Sequence, residues 1–186
     1  MKMKIGEKYK LEIIEEKIEI ICLYFKIRMT TSLFYKKIKN EIKKYAKDNF
    51  TFENLKLHPD ESDSTVWYFL IYDLIETPFE KGMYFGKILL DTNYPIKPPD
   101  FIFLTPNGRF ETNRKICTSF SAFHPEMYSS TWNIQSLMQG VISFMTDTKD
   151  IEGIGSLNTT DETKKELAHK SINWNNNNAL YIKHFN

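Results

Sequence analysis

Cysteine is almost missing from this chain: Cys22 and Cys117 are the only two among 186 residues. They lie far apart, and neither has a second cysteine or a histidine at the spacing of a zinc site, which argues against a disulfide framework and against a structural metal. So few thiols favour an intracellular, reducing setting. A surplus of one charge is missing as well. Lys and Arg number 25 and Asp and Glu 24, leaving a formal charge of +1. Lysines cluster between Lys36 and Lys47 and at Lys164 and Lys165, but no excess remains to neutralise a phosphate backbone, and nucleic acid is not an expected partner. Long apolar runs are absent too. Nothing reaches the roughly 18 consecutive apolar residues that a bilayer span requires, and no N-terminal apolar run ends in a small-residue cleavage site. The chain as it stands is therefore expected to be soluble.

With 41% apolar residues the chain can bury a real core, and its length suits one domain with a modest extension. Residues 1–28 alternate charge with isoleucine in a pattern that fits two periods. Leu11, Ile14, Ile18 and Ile21 suit a helix, whereas Ile18, Ile20 and Cys22 suit a strand. After hydroxyl caps at Thr30 to Ser32, "LFYKKIKNEIKKYA" carries an apolar stripe at Phe34, Ile38, Ile42 and Tyr45, which predicts an amphipathic helix. From Phe50 to Leu104 the pattern changes to short aromatic and β-branched runs, "FTFENLKL", "TVWYFLIYDL", "GMYFGKILL" and "DFIFL", each bounded by turn residues. Four strands in a meander are expected, the last two joined by "DTNYPIKPPD", whose three prolines exclude helix.

From Thr105 to Thr131 no period holds, and an irregular stretch of that length is more often functional or packed than idle. Helix returns in "NIQSLMQGVISFMT", with Asn133 as cap and Ile134, Leu137, Met138, Val141, Ile142 and Met145 on one face. A further helix starts near Asp161. The asparagine-rich tract "NWNNNNA" reads as low complexity, and 175–186 as a short polar tail. Within the irregular stretch lies Cys117, either a nucleophile served by the turn before it or a small buried hydrophobe.

The order helix, four-strand meander, proline loop, cysteine segment, core helix and final helix resembles the ubiquitin-conjugating enzyme fold, an α/β (α+β) architecture. "YPIKPPDFIFLTPNGRF" followed by "ICTSF" is similar to that family's proline stretch, Pro-Asn turn and catalytic cysteine. The likeness covers about residues 29–174, with 1–28 as an extension it does not explain. Most members write the turn His-Pro-Asn. Here it is Thr105-Pro106-Asn107, and "TPNGRF" with "FHPE" and "SFMTD" resembles the J-type branch associated with the endoplasmic reticulum and with degradation there. Members of that branch usually carry a C-terminal hydrophobic anchor. The chain ends at Asn186 without one, which leaves a truncated sequence or a soluble, cytoplasmic relative.

The resemblance implies that Cys117 accepts ubiquitin as a thioester from the ubiquitin-activating enzyme and passes it to lysine, or to serine or threonine, of a protein substrate, usually with a ubiquitin ligase. It implies that Asn107 donates a hydrogen bond to the developing oxyanion, and as an asparagine in a turn it also shapes the loop. His124, the nearest histidine after the cysteine, is expected to help activate the acceptor, against the plainer reading of a loop histidine that only packs. Lys36 and Lys37 align with basic positions that face the activating enzyme and ligase, and Ile96 and Trp132 with the tips of two recognition loops. In "DTKDIEGIGSLNTTD", the residues Asp147, Asp150, Glu152 and Ser156 are candidates for the acceptor channel, without an assignment among them. No metal or organic cofactor is expected, ATP being consumed by the activating enzyme. Two alternatives stay open: a non-catalytic ubiquitin-binding variant of the same fold, and a carrier of another ubiquitin-like modifier.

Overall fold

The computed structural model describes residues 32–147, 149 and 152–185. The ambiguous segment 1–28, Cys22 and the expected caps Thr30 and Thr31 lie outside them. The chain divides into two compact units, Met1–Thr51 and Phe52–Asn186.

In the first unit, α1 (Leu33–Ala46) buries Phe34, Ile38, Ile42 and Tyr45, the stripe that the sequence spacing predicts. Ser32 occupies the N-cap with extended backbone, but its side chain makes no capping hydrogen bond. Glu41 lies on the buried face and accepts a hydrogen bond from the Tyr45 hydroxyl at 2.9 Å, one turn on.

The sheet is antiparallel in its main ladders and runs in simple order, β1 (Thr51–Phe52), β2 (Leu55–Pro59), β3 (Val66–Ile71), β4 (Tyr84–Leu89), β5 (Asp100–Phe103). The expected first strand is thus two, because "FTFENLKL" turns at Glu53 and Asn54. Side chains alternate between the faces of β3, so Trp67, Phe69 and Ile71 point one way and Tyr68 and Leu70 the other, all buried. Gly86 faces Phe69 in the register, and a Cβ there would come within 2.5 Å of the Ile102 carbonyl and closer still to the Phe69 ring. Only glycine lets β4 pass between them.

One face continues into α2 (Ile134–Thr146) through a run of rings, Phe69 on Phe103, Phe103 on Phe110 and Phe110 on Phe144, with centroids 4.9–5.8 Å apart. Asn133 caps α2 as expected, and Ser136 completes a reciprocal capping box with it. The other face gathers Tyr68, Leu70, Phe85, Ile102 and Leu104 around Tyr181. Tyr181 belongs to the stretch expected as a polar tail. Instead 175–186 supplies the last two residues of α3 (Asp161–Asn176) and the whole of α4 (Ala179–Phe185). Burial of Tyr181 and His184 holds α4 in place. The His184 ring stacks on Tyr68 with centroids 4.0 Å apart and its Nδ1 lies 3.3 Å from that of His58. The N-cap of α3 is Thr160, whose hydroxyl accepts from the Thr163 N–H, so Asp161 is the first helical residue.

Candidate active site

The irregular stretch after β5 is ordered by hydrogen bonds that its sequence does not advertise. At its start the N–H groups of Leu104 and Thr105 both donate to the Phe85 carbonyl on β4. The Asn107 side chain then organises the turn. Its Oδ1 accepts from the backbone N–H of Arg109 and of Phe110, each at 2.8 Å, and its Nδ2 donates to the Thr105 carbonyl at 3.0 Å. With both oxygen lone pairs and one N–H engaged, one N–H of the amide remains. Gly108 has φ of +78°, and a Cβ there would lie 2.7 Å from the Thr159 hydroxyl, which donates to the Gly108 carbonyl.

Beyond the turn the chain doubles back beside β5. Asn113 N–H donates to the Phe103 carbonyl and Ile116 N–H to that of Phe101, which brings Cys117 past the end of the sheet. Lys115 pairs with Asp100 at 2.7 Å on the same path. Cys117 is a free thiol, half-buried, and its N–H donates to the Ile154 carbonyl at 2.9 Å. Gly153 lies beside it with φ of +135°, and the point where a Cβ would sit is 3.8 Å from the Cys117 Sγ. That contact is an ordinary one; the backbone conformation is what requires glycine.

The segment Gly153–Leu157 ties the two motifs together. Gly155 O accepts from Glu111 N–H, Leu157 N–H donates to Arg109 O, and Ile154 O accepts from Cys117 N–H. Asn107 and Cys117 are thus held by one backbone framework. Arg109, only 2% exposed, completes it: Nη1 donates to the Lys149 carbonyl at 2.7 Å and Nη2 to the Phe144 carbonyl at 3.3 Å, in the last turn of α2. A guanidinium at a helix C-terminus is favoured by the helix dipole as well as by the carbonyls it bonds.

After the cysteine the environment becomes wetter. Ser121 closes a small turn, its hydroxyl accepting from Thr118 N–H and donating to Thr118 O. Phe120 packs over Gly140 of α2, where a Cβ would touch the ring at 2.9 Å. His124, with a side chain 45% exposed, has its Nδ1 3.0 Å from Glu126 Oε1. Hydrogen bonding from its own backbone N–H and from His124 holds the Glu126 carboxyl below its ordinary pKa.

Ile96 is 67% exposed in the proline loop, which contains the cis Tyr94–Pro95 bond, and Trp132 is 38% exposed with its ring edge-on to Tyr128. In the first unit Lys36 is exposed, while Lys37 lies 3.5 Å from the buried Glu41 carboxylate. Of the acidic-loop candidates, Asp147 accepts from Lys149 N–H, Glu152 is exposed, Ser156 is half-buried, and Asp150 lies outside the described residues. No group of three or more His, Cys, Asp or Glu suited to a metal ion occurs among the described residues.

Reasoning from sequence missed Arg109, Gly153 and Asn175. Arg109 follows a Gly in a turn, a place where a charged residue is ordinarily solvated. Asn175 lay in the asparagine tract set aside as compositional, yet it is 1% exposed and accepts a 2.6 Å hydrogen bond from the Thr105 hydroxyl.

The fold and site together define an α/β domain, a five-stranded sheet with helices, that presents a half-buried free thiol on the turn after its last strand. The model of the family described as ubiquitin-conjugating enzyme matches residues 37–176. A "Ubiquitin-conjugating enzyme E2 J2-like" protein of Dictyostelium discoideum is 36% identical over 149 residues, covering 80% of this chain and 85% of that protein. "Ubiquitin-conjugating enzyme E2 34" of Arabidopsis thaliana is 41% identical over 127 residues, covering 68% of this chain and 53% of its own length. "Ubiquitin-conjugating enzyme E2 6" of Debaryomyces hansenii is 38% identical over 128 residues, again with about half of its length, 52%, matched. The chain belongs to the ubiquitin-conjugating enzyme family, transferases that work through a cysteine thioester, and within it resembles the J-type. No helix among the described residues is long and apolar enough to cross a membrane.

Proposed function

We propose that the protein carries ubiquitin on Cys117. The Cys117 thiolate attacks the thioester carbonyl that joins ubiquitin's C-terminus to the activating enzyme; a new C–S bond forms and the activating enzyme's thiolate leaves. An acceptor amine or hydroxyl then attacks the Cys117 thioester, the C–N or C–O bond forms, the C–S bond breaks, and the acceptor's proton passes to a base. The observation that carries this reading is a half-exposed free thiol flanked by the bare α-carbon of Gly153, on a chain pinned at Cys117 N–H. A carrier sulfur needs that combination of fixed backbone and open flank.

Asn107 serves twice in this reading. Three of its hydrogen-bonding positions shape the turn, and its remaining N–H is the donor for the oxyanion that develops at the thioester carbonyl. His124 assists the acceptor: with Nδ1–H donated to Glu126, Nε2 keeps a lone pair able to take a proton. Exposed Ile96, Trp132 and Lys36, with Lys37, meet ligase and activating enzyme. The J-type likeness supports work in the cytoplasm or on the cytosolic face of the endoplasmic reticulum, in degradation associated with it.

Incubation with activating enzyme, ATP and ubiquitin, followed by a non-reducing gel, tests the reading. A thiol-sensitive adduct, lost in Cys117→Ala and converted to a reduction-resistant oxyester in Cys117→Ser, is expected. No adduct with ubiquitin removes the proposal, and an adduct with a different modifier alone reassigns the cargo.

A further inference from the structure

We propose that Asn175, near the end of α3, is a positioning residue for the active-site turn, acting on Asn107 through Thr105; the inference rests on the role given to Asn107 above. Asn175 is 1% exposed and Thr105 fully buried. The Thr105 hydroxyl donates to Asn175 Oδ1 at 2.6 Å and accepts from Phe85 N–H at 2.9 Å. Asn175 Nδ2 donates to the Met83 carbonyl at 2.8 Å, so the amide has one workable orientation: flipping it would set its oxygen against that carbonyl. Ser171, one turn earlier on α3, accepts from Met83 N–H at 2.9 Å. The end of α3 therefore grips the backbone entering β4 on both its donor and its acceptor side.

What makes this more than an anchor is the other end of Thr105. The residue whose hydroxyl is held by Asn175 also supplies the carbonyl that accepts from Asn107 Nδ2 at 3.0 Å. Polarity runs through a continuous chain, Met83 O, Asn175 amide, Thr105 hydroxyl, and across Thr105 to the Asn107 amide. Rotation of Thr105 about its backbone moves that carbonyl, and with it the N–H that the oxyanion needs. An error of about 1 Å in such a donor is enough to cost on the order of 10²-fold in rate. Here one oxygen both donates to Asn175 and accepts from Phe85 N–H, which a hydroxyl can do and a valine side chain cannot, so the device belongs to a turn with threonine or serine at 105.

The test is single-turnover discharge of the pre-charged full chain to free lysine, alongside the rate of charging by the activating enzyme. Thr105→Val keeps the shape and removes the hydroxyl; Asn175→Leu removes the amide; Thr105→Ser keeps the hydroxyl. Discharge is expected to slow on the order of tenfold in Thr105→Val and Asn175→Leu, to stay within about twofold of wild type in Thr105→Ser, and charging to change by less than about twofold throughout. In an Asn107→Ala background, Asn175→Leu is expected to add no further slowing. Equal slowing of charging and discharge, full slowing by Asn175→Leu on top of Asn107→Ala, or wild-type discharge in Thr105→Val each overturns the proposal. If Asn175→Leu does not fold, the Thr105→Val and Thr105→Ser pair decides alone. Should Asn107→Ala discharge normally, the role of Asn107 falls first, an outcome read independently of Asn175.

Discussion

Asn107, before Cys117 in the chain, is 1% exposed and holds three hydrogen bonds; His124, after it, has a side chain 45% exposed with a carboxylate as its neighbour. The first is fixed by backbone it also fixes. The second sits where water can replace its partner and where salt screens it. The contrast divides the work of such a site: a group that must meet a charge developing at one fixed atom is buried and over-determined, and a group that meets acceptors of varied shape is left at the surface. Catalytic preorganisation and substrate tolerance ask opposite things of a side chain.

The sharpest way to break this comparison is to remove the buried member. Asn107→Ala is expected to slow discharge of charged enzyme by roughly 10² to 10³-fold, measured in single turnover. A loss no larger than that of His124→Ala would erase the distinction. Arg109→Met probes the frame rather than the donor. Two charge-assisted bonds to the Lys149 and Phe144 carbonyls disappear, at a cost of about 3 kcal/mol and a drop of about 10 °C in Tm, read by thermal melting.

A change of pH acts on the buried His184. Burial, then the nearby His58 and Lys183 charges, push His184 down to about 4, with Asp60 and Glu61 opposing. In the unfolded chain it titrates near 6.5, so between these values the unfolded state binds the extra proton. Its contribution is whole above 6.5 and drains as pH falls toward 4. Melts between pH 7 and pH 4 should show Tm falling by several degrees from this source, and His184→Gln should flatten the slope. The smallest effect belongs to His124 in catalysis. His124→Ala is expected to slow discharge to free serine about threefold to tenfold and to leave free lysine nearly unchanged, because a hydroxyl must shed its proton during attack whereas a neutral amine sheds it afterwards. Unchanged rates for both acceptors remove His124 from the mechanism.

Apolar periodicity made much of the fold legible. The stripe of α1, the buried face of α2 and its Asn133 cap all follow from spacing, since burial repeats with the helix and a cap must stand at its start. Where periodicity fails, so does the reading. The break between β1 and β2 falls at Glu53 and Asn54 without glycine or proline to mark it, and α4 follows an asparagine tract whose composition resembles a linker. Motif order pointed to Cys117 and Asn107, but not to what holds them. The bond between Thr105 and Asn175 joins residues 70 apart in sequence. A polar pair at that distance leaves no period, and a buried asparagine looks like an exposed one until the chain is folded.

The closed socket around the Thr105 hydroxyl bears on how this turn can be altered. Writing the commoner histidine at 105 would force an imidazole between β4 and α3 and leave the Phe85 N–H and the Asn175 amide to find new partners. Turn and helix terminus are thus coupled in this chain: a chimaera cut between residues 105 and 175 separates the Thr105 hydroxyl from the amide that it bonds.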